Sequence, residues 1–136
     1  MARYNITAVM CVSRASLVLA GCGSGDAPNG APSELDDFAA RYTAAWSSQD
    51  PARVASHFAQ DGALTINDGP PSIGRDAVTE AARGFMTAFP DMVVAMDSLR
   101  VDGVVTRYYW TLTGTNTGPG GGGRAIRIRG FEAWTL

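Results

Sequence analysis

Residues 92–115, which read MVVAMDSLRVDGVVTRYYWTLTGT, decide the fold class of this chain. Polar and large apolar residues alternate along Val104–Thr115, and the abundance of Thr, Tyr and Trp there is typical of a β-strand. A second strand is predicted over Met92–Val101, and the Asp102-Gly103 pair between the two is a strong hairpin signal. The sequence therefore predicts two long antiparallel strands in this region.

A third long strand follows on the C-terminal side. Gly118–Gly123 reads as a loose connection, and Ala125–Leu136 again alternates in the manner of a strand. One set of side chains along these strands is polar and faces away from the apolar set. Such a face usually meets water, but it is also suited to a homodimer formed through the sheet or to the rim of a pocket.

The N-terminal side has a helical period instead. Three helices are predicted, opening at Ser33, at Asp50-Pro51 and at Gly74, with a short strand over Ala63–Asn67 between the second and third. Pro90 follows the end of the third helix. Helices followed by a strand meander predict an α+β fold with an antiparallel sheet over residues 33–136.

Composition and charge exclude several classes of protein. The chain has 136 residues, of which 46% are hydrophobic and 18% charged, and it carries a formal net charge of −2. Three Trp, four Tyr and five Phe are enough for a packed core. The 11 basic residues, all of them Arg, are outnumbered by 13 acidic ones and form no basic stripe, so we expect no nucleic-acid partner.

The N-terminal residues have the features of a signal for export from the cytoplasm. Residues 1–21 are mostly apolar after Arg3 and fit a secretory signal peptide. Leu19-Ala20-Gly21-Cys22 resembles a bacterial lipobox, which predicts that Cys22 carries a lipid and that residues 22–32 form a flexible tether. The expected location is then the cell envelope, outside the cytoplasm and anchored to the membrane. The alternative is an ordinary signal peptide followed by an unrelated cysteine.

Cysteine and histidine counts limit metal and disulfide chemistry. Cys11 would leave with the signal peptide, and Cys22 would be acylated. His57 is the single histidine, too few for a typical zinc site. We therefore expect no disulfide, no metal and no cofactor.

An ordered set of short motifs resembles a known superfamily. The set is Arg41-Tyr42-x-x-x-Trp46, Asp50, Phe58–Gly62, Ile73–Val78 and Trp110–Gly118. From about Leu35 to Leu136 the chain resembles the nuclear transport factor 2-like superfamily, and most closely its SnoaL-like polyketide cyclase branch. The resemblance implies a cone, in which a bent sheet wraps round the helices and leaves a pocket. Related domains usually continue with one more strand, so we expect that final strand to be missing here. The edge of the last strand present, Ala125–Leu136, would then be open or covered by a partner.

The resemblance also suggests catalytic candidates. Ketosteroid isomerases of this superfamily use an Asp base, with a Tyr and a protonated acid that hold an oxyanion. Tyr42 and Glu132 fall where the Tyr and the acid would be, while the base position is Ile66, with Asp68 two residues further on. Each candidate has a structural interpretation as well: Tyr42 as a core residue, Asp68 as a turn residue, and Glu132 as a side chain facing solvent instead of the pocket.

The aromatic residues of the inner stripes predict the pocket itself. We expect six residues to converge on a largely apolar cavity between the helices and the sheet: Tyr42, Trp46, Phe85, Phe89, Trp110 and Glu132. In it, Tyr42 and Glu132 would form a donor pair for an oxygen atom. Two functions follow, namely a domain that binds a small apolar molecule, or an acid–base enzyme of the cyclase or isomerase kind.

Overall fold

Helices packed against one face of a curved sheet make up the described part of the chain. The computed structural model describes residues 5–11 and 33–136. Its helices are α1 (Glu34–Trp46), α2 (Pro51–Ala55) and α3 (Arg75–Ala88). Its strands are β1 (Asn5–Cys11), β2 (Ala63–Ile66), β3 (Ser72–Ile73), β4 (Val93–Asp102), β5 (Val105–Asn116) and β6 (Arg124–Thr135). No helix within these ranges is long and apolar enough to cross a membrane.

The helices begin where capping residues predict. The Ser33 hydroxyl accepts a hydrogen bond from the backbone N–H of Asp36, whose carboxylate accepts one from the N–H of Ser33 in return. Asp50 caps α2 by accepting from the N–H of Ala52, and Pro51 occupies the first helical position. These local contacts confirm the predicted starts of the first two helices.

The strands form one sheet in the order β3-β2-β1-β6-β5-β4. Four of its ladders are antiparallel, and the α+β prediction is confirmed. One pair departs from the antiparallel arrangement, since β1 and β2 are parallel. Parallel neighbours need a crossover connection, and α1 and α2 lie in the chain between these two strands.

The N-terminal strand lies inside the stretch that the sequence assigns to a signal peptide. Asn5–Cys11 pairs with β2 on one side and with β6 on the other. Consequently β6, the last strand, is an interior strand flanked by β1 and β5. The proposed lipidation site, Cys22, and the tether lie outside the described residues.

The inner face of the sheet follows the alternation predicted for β5. Tyr108, Trp110 and Leu112 are buried, whereas Arg107 and Thr113 are exposed on the opposite face. The core joins these side chains to the inner stripes of the helices. Its largest fully buried members are Trp134, Tyr42, Tyr108, Phe58, Leu64 and Met92.

A carboxylate joins the turn after α3 to the C-terminal end of β5. Asp91 accepts hydrogen bonds from the backbone N–H and the hydroxyl of Thr115, at 2.7 and 2.8 Å. These bonds lower the pKa of Asp91 below its usual value. Gly114 permits the close approach, since a Cβ there would lie 3.2 Å from the Asp91 carboxylate and from the Met92 Cα. These contacts hold the start of β4 against the end of β5, where Val93 pairs with Thr113.

The outer face of the sheet carries its own ring contact. Tyr109 and Phe131 lie on neighbouring strands with ring centroids 5.7 Å apart, and the Arg100 guanidinium lies 5.5 Å from the Tyr109 ring centre. On the same face, the Thr111 hydroxyl donates to Asp97 at 2.7 Å. The homodimer through this face stays a prediction.

Candidate functional site

A small cavity lies between the helices and the inner face of the sheet. Its lining combines aromatic and aliphatic residues with one carboxyl group: Trp46, Leu64, Ile66, Phe85, Val94, Tyr108, Trp110, Leu112 and Glu132. The volume of the cavity that the centre of a water molecule can reach is about 30 Å³. One buried water needs roughly 10–15 Å³ on that measure, so only a small molecule fits without side-chain movement.

Helix and strand periodicity bring the aromatic walls together. Trp46 lies in the last turn of α1 and Phe85 in the last turns of α3, and their rings meet edge to face with centroids 5.8 Å apart. Tyr108 and Trp110 are two residues apart on β5 and therefore point to the same face. The cavity is thus bounded by rings from three different elements.

Glu132 places a carboxyl group at this largely apolar site. It lies on β6 directly opposite Tyr108, and it is only 4% exposed. The indole N–H of Trp134 donates to Glu132 Oε2 at 2.8 Å. Of the two orientations open to Glu132 from the sequence, the structure shows the inward one.

Burial changes the acidity of this group. It raises the pKa of Glu132 from 4.5 to about 7, against the opposing effect of the Trp134 hydrogen bond and the nearby Tyr42. At mildly acidic pH the carboxyl is consequently protonated. In that form it is a neutral hydrogen-bond donor at the cavity wall.

Tyr42 is fully buried beside the cavity, where it packs against five aromatic rings and the His57 ring. Burial, reinforced by the charge of Glu132, raises the pKa of Tyr42 well above 10. Its hydroxyl is close enough to Glu132 to influence it, yet it has no hydrogen-bond partner among the described residues. Trp134 donates to Glu132, and the Tyr42 hydroxyl lies close enough to lower the pKa of Glu132, so the donor pair of Tyr42 and Glu132 stays a prediction.

Two further donors in the cavity wall have no partner. The indole N–H groups of Trp46 and Trp110 are buried, and neither has a partner in hydrogen-bond geometry among the described residues, although the Trp46 indole lies close enough to the Tyr42 hydroxyl to lower its pKa. Both residues line the cavity. A buried donor without a partner costs about 1–3 kcal/mol, so an acceptor that reached either N–H would remove a penalty that the folded chain already bears.

The remaining predicted residues lie elsewhere. Phe89 is buried at the end of α3 but does not line the cavity. Asp68 is exposed in the turn between β2 and β3, away from the cavity lining. His57 is half-buried, with Nδ1 2.8 Å from the Arg53 carbonyl oxygen and its ring packed on Phe38. Within the described ranges no group of His, Cys, Asp and Glu is arranged to hold a metal ion.

Several lining residues were not predicted from the sequence. Tyr108 and Leu112 share the face of Trp110, so the alternation of β5 already contained the signal that places them there. Leu64, Ile66 and Val94 come from strands whose position against the helices depends on pairing across the sheet. No local pattern indicated those three.

The family follows from comparison with known proteins. Residues 36–135 match the family model described as SnoaL-like polyketide cyclase, and the match covers most of the chain. The chain therefore belongs to the SnoaL-like family. No curated protein is similar enough to be counted as a relative.

Solved structures agree on the fold. TsrD from Streptomyces laurentii superposes with a TM-score of 0.63 at 19% identity, over 75% of this chain and 78% of its own. A nuclear transport factor 2-like protein of unknown function from Burkholderia pseudomallei superposes with a TM-score of 0.62 at 20% identity, over 74% of this chain and 79% of its own. A protein from Catenulispora acidiphila with a ketosteroid isomerase-like fold, solved in complex with trimethylamine, superposes with a TM-score of 0.59 at 16% identity. The match covers 68% of this chain and 70% of that protein. At these identities the likeness establishes the fold.

The raised pKa of Glu132 makes the stability of the protein depend on pH. Between about pH 4.5 and 7 the folded state holds a proton that the unfolded state has lost. The free energy of unfolding should therefore fall as the pH rises through this window, by about 3 kcal/mol in total. Glu132→Gln should abolish that fall, since the amide is neutral throughout. Urea unfolding from pH 4.5 to 8 measures the effect.

A matched substitution controls for other titrations. Glu80 lies exposed on α3, where it contacts Arg83. Glu80→Gln should keep the same pH dependence as the unchanged chain. If Glu132→Gln kept it as well, the buried carboxyl would not be its source.

Proposed function

We propose that this domain binds a small, largely apolar molecule that carries a hydrogen-bond acceptor such as a ketone oxygen. The observation that carries the proposal is the pair of unpartnered indole donors, Trp46 and Trp110, in the wall of an apolar cavity. Small-ligand sites have this form, with apolar walls and a few fixed polar groups. Protonated Glu132 adds a third donor below about pH 7.

The size of the cavity narrows the class of ligand. Space for roughly two water-sized molecules accommodates a ligand of a few non-hydrogen atoms as it stands, and a compact ring only when lining side chains move. The ligand should therefore be recognised by its acceptor as much as by its apolar area. Cyclic ketones and cycloalkanes of the same ring size differ in that one group and are suitable probes.

Removing one indole donor should separate ketone from hydrocarbon binding. In Trp110→Phe we expect the affinity for cyclohexanone to fall about fivefold, the worth of a typical hydrogen bond, with little change for methylcyclohexane. Isothermal titration calorimetry measures both affinities. The full-length chain is made in a membrane-free system so that residues 1–21 are retained. Tyr109→Phe, on the outer face of the sheet, is the control. Equal losses for ketone and hydrocarbon would contradict a donor role for Trp110.

A specific observation also supports a second function, that of an acid–base enzyme of the cyclase or isomerase kind. Glu132 lies at the cavity wall with a pKa of about 7, where a carboxyl can both give and take a proton near neutral pH. Glu132 and Tyr108 are the titratable residues among those that line the cavity. The proton would then be carried by Glu132 itself, with the indoles holding the developing oxyanion.

Hydrogen exchange distinguishes the enzyme from the binding domain. A base at the cavity would exchange the α-hydrogens of a bound cyclic ketone with solvent deuterium. For an enzyme we expect exchange above the buffer rate near pH 7, followed by NMR, and its loss in Glu132→Gln. Exchange at the buffer rate, with the ketone bound, would assign the cavity to binding alone.

Export and anchoring form the cellular part of the proposal. Leu19–Cys22 supports lipidation of Cys22, and bacterial lipoproteins of this type generally carry three acyl chains, enough for stable anchoring. The lipid would hold the ligand-binding domain at a membrane surface outside the cytoplasm.

Replacing the thiol tests the anchor. In bacterial cells Cys22→Ser should remove fatty-acid labelling and shift the chain out of the processed membrane fraction. Cys11→Ser, which changes the other cysteine, should leave both unchanged. A processed, membrane-bound Cys22→Ser chain would show that the lipobox interpretation is wrong.

A further inference from the structure

The sheet holds β2 and β6 together through a third strand. In the order β3-β2-β1-β6-β5-β4 these two strands are separated by Asn5–Cys11. β1 pairs with β6 over seven positions, from Asn5 opposite Thr135 to Cys11 opposite Arg129, and with β2 over four. The backbone of one short segment thus bridges two parts of the sheet.

The space that β1 occupies has the dimensions of one extended chain. Neighbouring strands lie about 4.8 Å apart, so β2 and β6 flank a slot roughly 10 Å wide. Both flanking edges offer backbone donors and acceptors, one in parallel and one in antiparallel register. Addition of a strand to such edges is a common mode of peptide recognition.

The slot also forms part of the cavity wall. At one level of the sheet Ala8 lies opposite Ile66 on β2 and opposite Glu132 on β6, and Glu132 in turn lies opposite Tyr108 on β5. Ile66, Glu132 and Tyr108 all line the cavity. Without β1, no described ladder would connect Ile66 to Glu132.

The same segment belongs to the predicted signal peptide. Cleavage before Cys22 would cut the covalent link between β1 and the rest of the domain, and only the sheet hydrogen bonds would then hold the segment.

We propose that the slot between β2 and β6 is a strand-binding site whose occupant is the segment Asn5–Cys11 of this chain, and that its occupancy closes the wall of the cavity. The unprocessed chain has a closed cavity, and release of the segment opens it between Ile66 and Glu132. The link to ligand binding rests on the proposed function, whereas the binding of the strand does not.

The test uses the full chain, made in a membrane-free system, with a specific protease site inserted between Gly25 and Asp26 and an affinity tag after Leu136. The folded protein is cleaved, and the tagged part is recovered under native conditions. We expect the N-terminal fragment to stay with it. Loss of the fragment, with unchanged circular dichroism and unchanged acrylamide quenching of tryptophan fluorescence, would overturn the proposal.

A peptide exchange makes the test specific for the strand. The cleaved protein is unfolded in urea, freed of its N-terminal fragment, and refolded with a synthetic peptide of residues 4–12. We expect the peptide to be retained and to restore the shielding of Trp46 and Trp110, which line the cavity, from acrylamide. A peptide with Thr7→Pro should bind on the order of tenfold more weakly, because proline removes a ladder hydrogen bond.

The controls separate this proposal from the proposed function. A peptide with Ile6 and Val9 exchanged has the same composition and keeps every backbone donor, so it should be retained. Equal retention of the Thr7→Pro peptide, or no retention of any peptide, would overturn the strand-binding site. Neither readout uses a ligand, so a failure of ketone binding leaves the result intact.

Discussion

One carboxyl group buried among aromatic rings sets the character of this protein. Glu132 accepts a 2.8 Å hydrogen bond from the Trp134 indole, and both residues are buried. Trp134 stacks on Tyr108 with centroids 4.7 Å apart and meets Tyr42 edge to face at 5.2 Å. These contacts also fix α1 against the sheet, and the Thr43 side chain on α1 adds a 2.7 Å hydrogen bond with the Tyr108 hydroxyl. The packing that holds the helix in place is therefore the packing that raises the pKa of Glu132.

Features set by neighbours in sequence were predictable. The capping residues Ser33 and Asp50 mark helix starts because their partners are two or three residues away. The alternation along β5 identified the face of Trp110, since side chains two residues apart share a face of a strand. Strand β1 was not predicted, because NITAVMC is apolar and N-terminal and fits a secretory signal equally well. What makes it a strand is a set of partners more than a hundred residues away, at 129–135.

The same distinction explains the candidate site. Trp46, Phe85 and Trp110 line the cavity, and each lies on the inner stripe of its own element. Tyr42 lies on an inner stripe too and is close enough to lower the pKa of Glu132, but the 2.8 Å hydrogen bond to Glu132 comes from Trp134. Trp134 is two residues from Glu132 on the same face of β6, so it was a candidate donor from the sequence alone. The contact of Tyr42 with Glu132, by contrast, depends on how α1 packs across the sheet, which no local sequence pattern encodes.

The donors of the cavity differ in how they respond to pH, and this difference shapes what the site can bind. The indole N–H groups of Trp46 and Trp110 keep their protons at every physiological pH, so they favour an acceptor throughout. Glu132 joins them as a donor below about pH 7 and becomes an anion above it. A negative charge among aromatic faces favours a cation such as a small alkylammonium, through Coulomb attraction and cation–π contact. Under the proposed function, a neutral ketone would meet three donors on the acidic side, whereas on the alkaline side an alkylammonium ion would compete with it for the same walls.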